Sequence, residues 1–514
     1  MDILFINPNS STQTYQGLSK DLSAIETPTW ALLLAQSCRA RGSKVGILDC
    51  LAENLTINQA FKRIEKLQPK LICFVVYGQN VNAGSTNMEG SIQLSRFIKE
   101  QNTFKSVISF VGSHVQALPK KTMEEERSID FIFINEGVYS LHSIISNKYN
   151  FDIENLSKID GIAYRKKNNK IEFTKPSNVV PQEKMDEDLP GYAWDLLPYN
   201  IRPLDLYRAP LWHAEYNEEY RTPYAAIQTS LGCQFKCDFC MINIVNKNDN
   251  EEIGIASNYN KMRFWSTNFI IKEFDNLISM GVKTIKITDE MFLLNPKYYL
   301  PLCDLLSKRN QKDDLKMWAY SRIDTVKRPE VLNVVRKAGI KWLCLGIESG
   351  NKKIRLEVSK GKFEDVDVEK IVKQIESADI NVLANYIYGL PGDTKESIKE
   401  TFNLSLKLNT LGWNTYAAMA LPGSMLYYKA TKEGTKLPSK YSEFSFHSYD
   451  SLPLPTSALK ASEVLALRDE YFIKYFSSKK FLDKVQSKFG EKALENIKKM
   501  LSIKLKRKII EENT

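Results

Sequence analysis

The segment Thr229-Ser-Leu-Gly-Cys-Gln-Phe-Lys-Cys-Asp-Phe-Cys-Met241 places Cys233, Cys237 and Cys240 in a C-x3-C-x2-C run directly after an apolar, strand-like stretch. Three thiolates this close read as a metal site, because sulfur is a soft ligand suited to iron–sulfur clusters, zinc or copper. The number of ligands then matters. A structural zinc or a closed electron-transfer cluster takes four protein ligands, and the next cysteine or histidine along the chain is as distant as Cys303. A 4Fe-4S cluster on three cysteines leaves one iron open to chelation by a small molecule. The same residues also admit a zinc loop completed from afar by Cys303, Cys344 or His213, or three unligated core thiols.

The run resembles the signature of the radical S-adenosylmethionine (SAM) superfamily, with an aromatic residue, Phe239, directly before the third cysteine. The resemblance implies that the open iron chelates the amino and carboxylate groups of SAM and that the reduced cluster cleaves it to a 5′-deoxyadenosyl radical. The cofactor then carries the difficult chemistry, and the protein supplies orientation and exclusion of water.

The elements that must position such a site are found between about 222 and 425. Strand-like runs at 227–229, 284–288, 317–320, 342–345, 382–388 and 415–421 alternate with helical patterns, and most end in polar or glycine residues. Six βα units suit a partial (βα)6 TIM-type barrel with its active site at the strand C-termini. By the resemblance, Asp289 and Glu290 contact the SAM amine, and Ser321 and Arg322 approach its carboxylate or ribose. Glu348 and Ser349, in Gly346-Ile-Glu-Ser-Gly350, approach the ribose and carboxylate, with Phe239 completing the set. The Gly389–Gly392 turn falls beside adenine, with Asp393 where glutamate is commoner.

Ahead of the barrel, strand-like runs at 3–7, 45–49, 71–76, 107–112 and 131–135 alternate with amphipathic segments. Short continuous apolar runs in this arrangement predict a parallel sheet covered on both faces, a Rossmann-like or flavodoxin-like domain that binds ligands beyond its strand C-termini. This half resembles the cobalamin-binding domain of one large radical SAM class. Carrying the resemblance are Glu26-Thr-Pro-Thr-Trp30 through Ala35 with Arg41-Gly42, Val111-Gly-Ser-His114 through Pro119, and Asp130 through Asn135-Glu-Gly137. It implies cobalamin contacts at Asn7, Pro8, Thr27, Tyr77, Gly78, Gly112, Ser113, His114, Glu136 and Gly137. No D-x-H-x-x-G occurs, so the implied cobalamin is base-off and His-off; His114 is assigned to a corrin amide rather than to cobalt. A flavodoxin-like domain without cofactor is the alternative.

The expected boundaries are 1–148 for the cobalamin-binding domain, 149–218 for a connector containing a hairpin around Asn168-Asn169, 219–430 for the barrel, and 431–514 for a mostly helical substrate-side region. Trp212, His213 and Tyr216 in the connector are substrate-side candidates, as are Tyr441, Phe444, His447 and Tyr449 in a loop at 441–455.

Composition is consistent with this organisation. At 514 residues the chain exceeds one core, and 43% hydrophobic with 26% charged residues is ordinary for a globular protein. A secretory signal and a membrane span are not expected. Cys38, Cys50, Cys73, Cys303 and Cys344 sit singly in apolar runs and read as buried free thiols of a cytoplasmic protein. The net charge of +10 is spread along the chain without a basic, aromatic-interleaved run, so no nucleic-acid partner is expected. The lysine-rich segment 498–508 reads as the solvated face of a helix.

The resulting expectation is a cobalamin-dependent radical SAM methyltransferase. It would move a methyl group from SAM through methylcobalamin to an unactivated carbon of a small-molecule substrate, with a flavodoxin or ferredoxin type electron donor. Alternatives are a non-methylating cyclase or rearrangement enzyme with the same cofactors, and a non-catalytic cobalamin or metal-binding regulatory module, since fold alone does not fix the reaction.

Overall fold

The structure is a computed structural model that describes residues 1–20, 22–78, 80–202, 204, 206–209, 221–245, 254–326, 328–360 and 366–512. Trp212, His213 and Tyr216 lie outside the described residues.

The five apolar runs of the first half form parallel strands β1 (Ile3–Asn7), β2 (Val45–Asp49), β3 (Leu71–Val75), β4 (Val107–Val111) and β5 (Phe131–Phe133). β1, β3 and β5 are buried at every position, as strands covered on both faces must be. The hairpin expected in the connector is formed by β6 (Ile162–Arg165) and β7 (Ile171–Phe173). Rather than standing apart, it adds antiparallel to β5, giving one sheet in the order β2-β1-β3-β4-β5-β6-β7. Strand order reverses at β1, so the crevice between the loops after β1 and β3 is the topological switch point where such sheets bind ligands.

The second half supplies six parallel strands in chain order: β8 (Tyr224–Ile227), β9 (Thr284–Ile287), β10 (Lys316–Arg322), β11 (Ile340–Glu348), β12 (Asn381–Tyr388) and β13 (Gly412–Ala417). Helices Thr267–Ser279, Pro296–Arg309, Pro329–Lys337, Val368–Ser377 and Lys395–Leu408 alternate with them. Capping sets their starts: Thr394 accepts from the Ser397 N–H while Ser397 answers the Thr394 N–H.

A partial barrel has two open edges, and each is closed by side chains. On β8 the Thr27 hydroxyl bonds both the N–H and the C=O of Ala226 at 2.9 Å, while Tyr192 and Tyr199 bond the backbone at Gln228 and Tyr224. On β13 the helix Ala461–Phe476 sends Arg468 to the Thr415 carbonyl and stacks Tyr475 on Trp413. Edge backbone that would otherwise template intermolecular pairing is thereby satisfied.

The loop at 441–455 does not stay with the barrel. Ser445 donates to the Thr14 carbonyl, Gln16 donates to the His447 carbonyl, and Tyr441 and Phe444 pack edge-on against His114. The C-terminal region, helical from Ala461, thus ties the barrel to the first sheet. Cys38, Cys50, Cys73, Cys303 and Cys344 are buried free thiols. Among the described residues no helix is long and apolar enough to cross a membrane.

Candidate functional site

The cysteine run leaves β8 and is tied down from four directions. Cys233 N–H donates to the Asn260 carbonyl, Asp238 N–H to the Val358 carbonyl, and Met241 N–H to the Asn82 side chain of the first sheet. Leu426 N–H reaches the Asp238 carbonyl, and Lys429 pairs with the Asp238 carboxylate at 2.7 Å. Gly232 turns into Cys233 with φ +86° against the Lys261 carbonyl, a place where any Cβ would collide. Phe239 packs between the apolar clusters around Leu426 and Ile354.

Cys233 is buried, and Cys237 and Cys240 are half-buried. Burial pushes the Cys233 thiol up to about 11, Cys237 up to about 12 and Cys240 well above its usual value; the Arg322 guanidinium opposes the shift at Cys233 and Cys237. Such thiols resist ionisation until a cation arrives. The three sit within electrostatic reach of one another. Among the described residues no group of three or more cysteine, histidine or carboxylate side chains converges as on one ion. Three cysteines at this spacing suit an iron–sulfur cluster, whose cysteine sulfurs stand on separate irons.

The polar pairs at the strand ends divide cleanly. In each pair one member lies within electrostatic reach of the cysteines. Glu290 lies within electrostatic reach of Cys233 and Cys240, its carboxyl pushed up to about 7 by burial and then by Asp289. Arg322 stacks 3.5 Å over Phe235, pairs with Asp324 at 2.5 Å and borders Cys237. Glu348 is likewise pushed up to about 7 by burial, against the pull of Arg322. It holds a left-handed φ of 63°, uncommon for a non-glycine residue and a local strain. Its carboxyl folds back over Gly346, where a Cβ would strike it.

The other three, Asp289, Ser321 and Ser349, are engaged with neighbouring protein groups. Asp289 accepts from the Thr229 N–H and hydroxyl and from the Ser230 hydroxyl at 2.5–2.7 Å, bracing the start of the cysteine loop. Ser321 is 4% exposed and bonds Thr325 at 2.6 Å. Ser349 lies against Thr401 and accepts from the Asn351 N–H. Asp393 caps the Gly389–Gly392 turn, accepting from the N–H groups of Gly389 and Leu390.

The candidates on the first sheet also separate. Asn7, Thr27, Tyr77 and Gly78 line a crevice at the switch point. Trp30 stacks on Tyr77 at 4.7 Å, and beyond that pair the crevice continues as a second, narrow space bounded by Glu290 and Thr288 of the barrel. Pro8 is buried beside Asn7. Gly112, Ser113, His114 and Gly137 bound neither space. Ser113 donates to the Val81 carbonyl, Gly112 packs on the Val76 carbonyl, and Gly137 turns into the helix Val138–Ser146. His114 is 4% exposed, bonded to Ser85 at 2.8 Å, and held down to about 3 by burial. Its ring packs against the C-terminal loop through Tyr441 and Phe444. Glu136 borders the second space but forms a buried ion pair with Arg263. Tyr449, expected near the substrate, is 40% exposed and bonds Glu511 on the outer surface.

Sequence reasoning missed Lys286 and, although it singled out the stretch Glu26–Trp30, gave no individual role to Glu26 or Trp30. Lys286 of β9 pairs with Glu26 at 2.5 Å, both under 10% exposed, with the ammonium over the rings of Trp318 and Tyr320. A charged residue inside an apolar strand, as in Thr-Ile-Lys286-Ile, was the available signal. A wide surface groove between the helices Pro329–Lys337 and Val368–Ser377 is lined by none of the site residues.

Three thiols without a fourth at the mouth of a parallel partial barrel, facing a flavodoxin-like sheet, define the class. The family model of the radical SAM superfamily matches residues 227–405, and this span is a radical SAM domain. The chain is 25% identical over 446 residues to an uncharacterized methyltransferase of Pyrococcus horikoshii, covering 87% of this chain and 86% of that one. It is 22% identical to an anaerobic magnesium-protoporphyrin IX monomethyl ester cyclase of Rubrivivax gelatinosus, covering 94% and 78%. Among solved structures, the radical SAM methyltransferase TsrM of Kitasatospora setae, with cobalamin and a 4Fe-4S cluster bound, superposes with a TM-score of 0.60 at 14% identity, covering 87% and 82%. The two-domain fold is shared.

Proposed function

We propose that the chain is a cobalamin-dependent radical SAM methyltransferase that transfers a methyl group to an unactivated carbon of a small molecule. The observation that carries this reading is the three-cysteine loop facing the switch-point crevice across Trp30 and Tyr77. When bound, a 4Fe-4S cluster with SAM on its open iron supplies a radical that abstracts hydrogen, and a corrinoid supplies the methyl group.

Cys233, Cys237 and Cys240 would hold the cluster. Glu290 and Glu348 offer carboxylates for the SAM ammonium and ribose, and Arg322 a cation for its carboxylate. Phe235, Phe239, Met241 and Ile242 keep water from the loop. The crevice suits a corrinoid chemically: short polar side chains, a glycine at φ +75° and a flat aromatic pair line it. A flavodoxin or ferredoxin type protein would return electrons, and a reducing cytoplasm would suit eight free thiols.

The similarity to an anaerobic cyclase favours a second reading, in which the same cofactors close a ring without methylation. Deuteromethyl SAM distinguishes them. Under the first reading the product gains the deuterated methyl group; formation of a product without that mass gain supports the second.

A further inference from the structure

The lumen of the barrel contains a polar patch that no role above uses. Asn385 of β12 and Asn414 of β13 stand in register on neighbouring strands. Both are half-buried, as are Tyr320 of β10 and Tyr416 of β13, whereas Tyr386, Tyr388 and Trp413, on the opposite face, are sealed against the C-terminal helix and its neighbours. Partial exposure confined to the inward face means that solvent reaches the lumen there.

The two amides are poorly used by the protein. Asn385 donates to the Leu345 and Leu383 carbonyls only at 3.3 Å, and Asn414 donates at 3.3 Å to Asn385 and at 3.4 Å to the Tyr416 hydroxyl. These lie at the long limit of hydrogen bonding. Among the described residues nothing donates to the Asn414 carbonyl. The lumen ammonium of Lys286 is already paired with Glu26, so the recognition capacity left over is amide and phenol hydrogen bonding rather than net charge. The chamber is closed above by a chain of rings: Tyr416 meets Phe446 at 5.1 Å, Phe446 meets His447 at 4.1 Å, and His447 meets Tyr15 at 5.4 Å. Barrel, C-terminal loop and first sheet therefore converge on the patch. A hydrocarbon substrate would desolvate both amides and both phenols while leaving the amides only these long bonds, which is costly.

We propose that Asn385, Asn414 and Tyr416 form a substrate subsite and that the substrate is a polar small molecule presenting an amide, hydroxyl or heterocyclic edge, not an apolar lipid. This rests on the methyltransferase reading. The test incubates reconstituted holoenzyme with SAM labelled in its methyl group, a reductant, and host-cell extract split into water-soluble and chloroform-soluble fractions. Labelled product is expected in the water-soluble fraction, with N385L and N414L each lowering it at least tenfold; iron content and circular dichroism confirm that the variants are folded. Label confined to the chloroform-soluble fraction, or undiminished labelling by both folded variants, would overturn the subsite while leaving methyl transfer intact. Absence of label from every fraction, with SAM still cleaved, would instead overturn the reading on which the subsite rests.

Discussion

At the scale of single residues, the site is built on a division of labour. The ends of β9, β10 and β11 each carry two adjacent polar residues, of which one lies near the cysteines and the other is bonded to the protein. Sequence showed the pairs, but not that Asp289 spends its carboxylate on Thr229 and Ser230 while Glu290 faces Cys233 and Cys240. The division predicts different defects. Asp289→Asn weakens hydrogen bonds to a charged acceptor, each worth about 1.5–3 kcal/mol, so it should lower the midpoint of thermal unfolding and the iron content together. Glu290→Gln should retain iron and weaken SAM binding at least tenfold, read by equilibrium dialysis. Gly346→Ala drives a Cβ into the Glu348 carboxyl and should weaken SAM binding with near-native circular dichroism. His114 illustrates what spacing cannot reveal: its loop suggested a ligand, but its ring went to Ser85, Tyr441 and Phe444, whose proximity depends on a contact more than 300 residues away in sequence.

At the scale of elements, the strands of both sheets were readable because continuous apolar runs between polar loops leave little choice of structure. Membership of the sheet was less readable. β6 and β7 announced a hairpin through Asn168-Asn169, but their attachment to β5 depends on cross-strand pairing that leaves no local signature. The edge caps were invisible for the same reason. Thr27, which lines the crevice, also holds β8 through one hydroxyl bonded to both polar groups of Ala226. Thr27→Val keeps the shape and removes both bonds; leaving two buried backbone groups unpaired should cost about 1–3 kcal/mol each at most, measured by urea unfolding with an unchanged slope. An unaltered midpoint would show that the edge is satisfied by other means.

At the scale of the molecule, the two halves are bound by buried polar ties as well as apolar packing. Glu136 after β5 pairs with Arg263, which precedes the first barrel helix, and both side chains are 4% exposed. Breaking such a pair from one side strands a charge, at a cost of about 3–5 kcal/mol. Glu136→Gln should therefore destabilise the chain strongly, and adding Arg263→Met should recover much of the loss. A double-mutant cycle on unfolding free energies checks the coupling. These ties aim the crevice at the cysteines, and the account stands on what those cysteines hold. Anaerobic reconstitution followed by electron paramagnetic resonance of the reduced protein tests it most directly. Three-cysteine ligation predicts about four irons per chain and a reduced-cluster spectrum that changes when SAM is added. A centre with no acid-labile sulfide, or a cluster spectrum indifferent to SAM, would contradict it.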